Sequence, residues 1–212
     1  TNNKAWNYTT GDWGYSSPAV LNGVLYVGSN DNRLYALNAT TGSLLWVNST
    51  GDGIESSPAI ADGVVYIASR DNKVYAFSAA TGIKLWNFLT ASTISGSPVL
   101  ADGKVFIGSY DTRIYALDAA SGTEIWNYTT GNMVESTPAV SDGIIYAGSW
   151  DNSLYALYAA NGTLKWQYPT AAPIESSPAV SSGTIYIGGQ DNLIHAVNAS
   201  TGATLWNFTT GN

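Results

Sequence analysis

Apolar and polar residues alternate in short runs along this whole chain, and nowhere do they settle into the three-to-four spacing of an amphipathic helix. Runs such as Gly23-Val24-Leu25-Tyr26-Val27-Gly28-Ser29 and Arg33-Leu34-Tyr35-Ala36-Leu37-Asn38 read as strands. Each run of the first kind is preceded by a two-residue turn signal: Asn22-Gly23, Asp62-Gly63, Asp102-Gly103, Asp142-Gly143 and Ser182-Gly183. Both residues of such a hairpin turn need positive φ, which Asn, Asp and Gly tolerate. A second polar turn, Asn30-Asp31-Asn32 and its counterparts, joins the second strand to the third. The pattern returns every forty residues. Its clearest marker is Ala36-Leu37-Asn38-Ala39-Thr40-Thr41-Gly42-Ser43-Leu44-Leu45-Trp46, which recurs at 76–86, 116–126, 156–166 and 196–206. In every copy a polar turn ends in glycine four residues before a tryptophan.

In the first copy the pattern predicts strands at 17–21, 23–29, 33–38 and 43–48. Four antiparallel strands at a fixed period of forty make the blade of a β-propeller. The expected fold is therefore an all-β, five-bladed propeller, one domain over 1–212. Its repeats are expected near 11–50, 51–90, 91–130, 131–170 and 171–210, with an extra outer strand at 3–10. The first strand of each blade starts at Ser17, Ser57, Ser97, Thr137 or Ser177 and continues with proline. Small side chains suit a crowded innermost strand, and proline suits an edge that needs no ladder donor.

The copies do not tally. Lys4-Ala5-Trp6-Asn7-Tyr8-Thr9-Thr10 matches Thr204-Leu205-Trp206-Asn207-Phe208-Thr209-Thr210, giving six versions of the fourth strand against five of the others. Trp6 is expected on the seat prepared by Ala196 and Gly202, in competition with Trp206. Either residues 203–212 or the N-terminal strand is then displaced, and a displaced strand offers self-association through its edge. The chain reads as one cut from a longer array or assembled from repeats. The close likeness of the blades also fits recent amplification of, or engineering from, one repeat.

At these residues the chain resembles the quinoprotein-type (PQQ-like) β-propeller repeats with their tryptophan-docking motif, Ala-x-Asp/Asn-x-x-Thr/Ser-Gly-x-x-x-Trp. The motif is complete with Ala36, Asn38, Thr41, Gly42 and Trp46, with Ala116, Asp118, Ser121, Gly122 and Trp126, and with Ala196, Asn198, Thr201, Gly202 and Trp206. Copy two (Gly82, Trp86) departs at Ser78, and copy four (Gly162, Trp166) at Tyr158 and Asn161, so those blades are expected to lack one polar turn contact. The resemblance implies that each tryptophan lies against the glycine peptide and an alanine of a neighbouring blade, which makes these residues structural. The family's quinone dehydrogenases have eight blades, adjacent cysteines against the cofactor and a calcium site with a catalytic aspartate. Other relatives are outer-membrane assembly scaffolds and surface proteins of archaea and bacteria. With five repeats and no cysteine, this chain is expected to be non-enzymatic, with neither cofactor nor metal.

Composition sharpens that expectation. Charged residues make up only 11%, well under the usual quarter, so Ser, Thr, Asn and Gly must supply the polar surface. This suits an exported or cell-surface protein. The chain begins without a basic and apolar leader, so any export signal is expected to have been removed or to lie outside this sequence. A net charge of −7 with no basic run argues against nucleic acid, and no apolar run approaches the ~18 residues of a membrane span. Seven Asn-x-Ser/Thr sequons, at Asn7, Asn38, Asn48, Asn127, Asn161, Asn198 and Asn207, are acceptors only in a glycosylating cell.

Positions that vary among nearly equal blades are not fixed by the fold. Three such sets stand out: Asn30, Arg70, Tyr110, Trp150 and Gln190; Tyr15, Glu55, Ser95, Glu135 and Glu175; and Trp13, Gly53, Thr93, Met133 and Pro173. The two loop types that hold them are expected to open on one face. The expected ligand site is therefore Trp13, Tyr15, Asn30, Glu55, Arg70, Tyr110, Glu135, Trp150, Glu175 and Gln190, for a protein or saccharide partner. A glycan-binding lectin is the alternative, and a glycosidase using two of the glutamates a third reading. The constant Asp31, Asp71, Asp111, Asp151 and Asp191 read as Asx-turn residues, and His195, standing where other blades have tyrosine, as a packing residue.

Overall fold

Asn22 and Gly23 adopt φ of 49° and 77°, and the corresponding pairs repeat these values, so tight hairpins form where the turn signals stand. The computed structural model describes residues 5–211, and in them twenty strands form five four-stranded antiparallel sheets. Blade 1 comprises β1 (Ala19–Leu21), β2 (Val24–Ser29), β3 (Arg33–Asn38) and β4 (Leu44–Ser49), paired in that order. β5 to β8 cover 59–89, β9 to β12 cover 99–129, β13 to β16 cover 139–169 and β17 to β20 cover 179–209. The expected boundaries hold to within two residues. The sheets and their repeat are those of a five-bladed β-propeller.

Two compact units divide the chain, Thr1–Pro98 with blades 1 and 2 and Val99–Asn212 with blades 3 to 5. Within each unit the core lies between neighbouring blades. Tyr26, Leu34 and Ala36 of blade 1 pack with Ile54, Val65, Ile67 and Phe77 of blade 2. Ile114 and Ala116 of blade 3 pack with Val134, Ile145 and Leu157 of blade 4. Successive first strands are also tied by hydroxyls: the Ser57 Oγ accepts from Ser17 N–H at 3.0 Å, and the Ser177 Oγ from Thr137 N–H at 3.0 Å.

The tryptophans dock forward by one blade. Trp46 Nε1 donates to the carbonyl of Ala79 (3.0 Å), Trp126 to Ala159 (3.1 Å) and Trp166 to Ala199 (3.2 Å). The indole lies on the glycine three residues beyond that carbonyl. A Cβ built on Gly162 would stand 2.6 Å from the Trp126 ring, and Gly162 has φ of 71°. Glycine is thus required both by its backbone angle and by the indole. In every blade the register shifts beside the alanine opposite the tryptophan, as between Ala36 and Leu37, a β-bulge that the strand pattern did not reveal.

This direction corrects the expectation for both ends. Trp6 sits on blade 1, with Nε1 donating to Ala39 O at 3.0 Å and its ring 2.6 Å from where a Gly42 Cβ would be. The Ala199 and Gly202 seat holds Trp166, because each indole reaches the turn 33 to 36 residues ahead of it. Of the expected extra strand at 3–10, residues 3 and 4 lie outside the described residues and 5–10 form no strand. Residues 204–209 are not displaced: β20 (Thr204–Thr209) pairs with β19 (Leu193–Asn198) from Leu193↔Thr209 to Val197↔Thr204. Asn212 lies outside the described residues. Trp206 is 48% exposed.

The turns before the tryptophans follow the motif and its departures. Asn38 Oδ1 accepts from Thr40 and Thr41 N–H, whereas Ser78 Oγ offers one long contact to Thr81 N–H at 3.3 Å. In blade 4 Asn161 Oδ1 takes Thr163 N–H and the hydroxyl in place of the bonds Tyr158 cannot make. The β2–β3 turn puts its third residue in the left-handed region, at φ of 63–69° for Asn32, Asn72, Asn152 and Asn192 and at 73° for Thr112. A β-branched residue is strained there.

Thr112→Asn is expected to stabilise the fold by about 1 kcal/mol in chemical denaturation. Trp126→Ala is expected to cost about 3–5 kcal/mol, and Trp206→Ala less than about 1 kcal/mol, in the same measurement.

Candidate functional site

In blades 1, 2, 4 and 5 two loops, the one leading into the first strand and the β2–β3 turn, are stitched together by backbone. Asn30 N–H donates to Trp13 O (2.9 Å), Arg70 to Gly53 O (2.9 Å), Trp150 to Met133 O (3.0 Å) and Gln190 to Pro173 O (2.9 Å). These bonds bring the variable sets side by side within each of those blades. A carboxylate latch lies beneath. Asp31 Oδ2 accepts from Gly11 N–H at 2.8 Å and from Tyr35 Oη at 2.5 Å, and Asp71 and Asp151 do the same with Gly51 and Tyr75 and with Gly131 and Tyr155. The Asx-turn bond is made as well by Asp71, Asp111 and Asp191, to the N–H two residues on. Asp31 and Asp151 leave Oδ1 without a partner. The constant aspartate thus spans twenty residues, a long-range role that local sequence could not reveal.

Side chains fifteen apart then pair across the two loops. Glu55 Oε1 meets Arg70 Nη1 at 3.2 Å, Glu135 Oε2 accepts from Trp150 Nε1 at 3.1 Å, and Glu175 Oε1 accepts from Gln190 Nε2 at 2.5 Å. The glutamate stays the same in these three blades while its companion changes. In the first unit five of the sequence-selected residues converge. Trp13, Tyr15, Asn30, Glu55 and Arg70 line a cleft of ≈ 460 Å³. Trp13 is 73% and Tyr15 61% exposed, their rings edge-on at 6.4 Å. Asn30 Oδ1 is buried without a partner. A Cβ on Gly53 would come within 3.1 Å of that oxygen, so the bare glycine gives Asn30 its place.

In the second unit Glu135 and the half-buried Trp150 form one pair, the exposed Glu175 and Gln190 another, and Tyr110 is half-buried in its turn. A groove of ≈ 530 Å³ lies between blades 4 and 5, lined by Tyr146, Tyr158 and Lys165 among others, on the side of the hairpin turns. Its counterpart between blades 1 and 2, ≈ 280 Å³ with Tyr26, Leu45 and Trp46, stands 120 residues earlier in sequence, so the repeat itself generates it. His195 does more than pack. It is buried, with Nε2 3.1 Å from Asp191 Oδ2 and Nδ1 3.1 Å from both Tyr168 Oη and Asn207 Oδ1, taking over the latch of the missing tyrosine. Among the described residues no three His, Asp or Glu side chains cluster as a metal site would need.

The family model described as outer membrane protein assembly factor BamB matches residues 1–95 and again 90–212. The chain belongs to that PQQ-repeat propeller family. Its fold is similar to BamB from Moraxella catarrhalis, with a TM-score of 0.85 and 23% identity over 96% of this chain and 64% of that one. It is also similar to the computationally designed Ika8 protein (TM-score 0.83, 19% identity, 92% of this chain and 62% of that one). The quinohemoprotein alcohol dehydrogenase from Comamonas testosteroni gives a TM-score of 0.83 at 18% identity, over 95% of this chain and 43% of that one. The chain therefore spans less than two thirds of the length of each. No curated protein matches it in sequence.

Burial, and then the hydrogen bond to Asp111, pushes the Tyr115 hydroxyl from the ordinary 10.0 up to about 12, and the same causes raise Tyr75 and Tyr155. The latch tyrosines are neutral in the folded state, so the stability they contribute is complete below pH 10.0 and is lost as pH rises through the folded values. Thermal melts are expected to be insensitive to this group up to pH 10.0 and to shift to lower temperature between there and about pH 12.

Proposed function

We infer that this chain is a non-enzymatic binding module of an exported, envelope-associated protein, and that it holds a peptide segment of a protein partner in the Trp13 cleft. The observation that carries this reading is the cleft itself. Two large aromatic side chains stand exposed beside an exposed Arg70–Glu55 pair, the residue types that dominate protein-binding hot spots. Nothing in the fold needs aromatic side chains there, since the other blades place Gly, Thr, Met or Pro and Glu or Ser at the same positions. Membership of a family described by an outer membrane assembly factor and the low content of charged residues both favour an extracytoplasmic setting.

An enzymatic role is less well supported. Each glutamate is engaged by the residue fifteen positions on, in the same manner in three blades, which suits a scaffold and gives no carboxylate a distinct acid or base role. The lectin reading rests on Trp13, whose exposed indole beside Asn30 and Glu55 is a surface on which a sugar ring can stack. Not every sequon is open: Asn48 Nδ2 already donates to Gly82 O at 2.7 Å, and Asn127 Nδ2 to Glu124 Oε1 at 2.6 Å.

A random hexapeptide display library tests this reading. Selected peptides are expected to bind the native chain and to lose at least about tenfold in affinity on Trp13→Ala and on Arg70→Ala. Both variants should melt as the native chain does, because an exposed ion pair contributes only about 0–1 kcal/mol. Peptides that bind all three proteins equally, or no selection at all, would overturn it. Oligosaccharides bound only when Trp13 is present would establish the lectin in its place.

A further inference from the structure

The groove between blades 4 and 5 lies wholly within the second unit, and its floor is the tryptophan joint itself. Tyr146 Oη and Trp166 Nε1 both donate to Ala199 O, at 3.3 and 3.2 Å, as Tyr26 and Trp46 do to Ala79 O at 3.0 Å. The floor is therefore common property of the repeat. The walls are not. Blades 1–2, 3–4 and 4–5 meet inside a unit, so their joints serve as controls for one another. Lys165 stands where the other two joints have Leu45 and Ile125, Thr184 where they have Val64 and Ile144, and Ser200 where they have Ala80 and Ala160. Three aliphatic positions turn polar together at one joint.

A fourth position becomes aromatic. Tyr158 replaces Asn38 and Asp118, whose side chains accept turn N–H groups, and so gives up bonds that the turn uses. Asn161 makes good part of that loss. The fold does not ask for this change. The groups that result are open. Lys165 is half-buried in the groove, yet among the described residues it makes no ion pair, and the hydroxyls of Tyr158, Ser182, Thr184 and Ser200 make no hydrogen bond. Tyr158 is 45% exposed. Burial, and then the Asp142 carboxylate, push the Tyr146 hydroxyl up, which places that negative charge near the floor.

We propose that this groove binds a short saccharide carrying one carboxylate, a uronate. The Tyr158 ring is a plane on which a sugar ring stacks. Hydroxyls of serine and threonine both donate and accept, as a sugar's hydroxyls require of their partners. The Lys165 ammonium takes the carboxylate in a charge-assisted bond. Asp142 accepts from sugar hydroxyls and repels a second anionic group, and the net charge of −7 disfavours polyanions in the same way. A volume of ≈ 530 Å³ falls within the ~300–1,000 Å³ of ligand clefts. The ≈ 280 Å³ counterpart in the first unit, walled by Leu45 and Ala80, offers neither ammonium nor hydroxyl at those positions. This site is separate from the Trp13 cleft, and its ligand does not depend on what that cleft holds.

Titration of the full chain, followed by amide chemical shifts, tests the proposal. The probes are disaccharides containing glucuronate, galacturonate or mannuronate, each beside its neutral counterpart. At least one uronate is expected to bind about tenfold or more tighter than its neutral counterpart, shifting the amides of Ser182, Gly183 and Ser200, and to weaken as salt rises. Lys165→Leu and Tyr158→Asn restore the residues of blade 1, so both should keep the native circular dichroism while each weakens binding by at least about tenfold. Trp13→Ala should leave it unchanged. The proposal is overturned if no uronate binds, if the neutral sugars bind equally well, or if affinity survives either substitution. A short acidic peptide that shifts the same amides at lower concentration than every uronate also overturns it.

Discussion

An indole can lie flat on a peptide only if that peptide has no side chain, and the rest of this structure depends on that fact. Gly42, Gly82, Gly162 and Gly202 each present a bare peptide to the tryptophan of the preceding segment, and the alanine carbonyl three residues before takes the indole N–H. The β-bulge beside the alanine opposite each tryptophan is built into the same strand pair. Leu34, Ile114 and Leu154, fully buried between blades, contribute to the joint the non-directional part of the stability, while the indole sets its geometry.

Above this joint the loops separate support from variation. The Asp–Tyr latch and the backbone bond from position 30 to position 13 recur with little change, so the loop pair keeps one conformation whatever side chains it carries. Glu55–Arg70, Glu135–Trp150 and Glu175–Gln190 then vary on a fixed frame. A ligand surface can change on such a frame without disturbing the joint below, since the two share no side chain.

Much of this was legible in the sequence. The hairpin dipeptides and the forty-residue period determine strands, sheets and blades because each depends on local turn chemistry. The grouping of Trp13, Tyr15, Asn30, Glu55 and Arg70 could be read because variation among near-identical blades marks positions free of the fold. The seat of Trp6 could not, because alignment of copies shows which residues correspond and says nothing about whether an indole reaches backward or forward. His195 was hidden for a related reason: its Asp191 partner is four residues away, but Tyr168 and Asn207 reach it only through the packing of neighbouring strands.

The glycine seats also have a consequence for how the chain finds its fold. Trp46, Trp126 and Trp166 meet seats that share an alanine carbonyl and a bare glycine, so the indole contact itself carries little address. The order of the blades is written chiefly in covalent connectivity. Whole units of forty residues can therefore be gained or lost without remaking any joint. The same indifference lets a refolding chain seat a tryptophan one blade too far, a trap of the kind that slows repeat proteins. Trp6, held by a short segment with no strand pairing, already occupies the first seat and closes it to a misplaced partner.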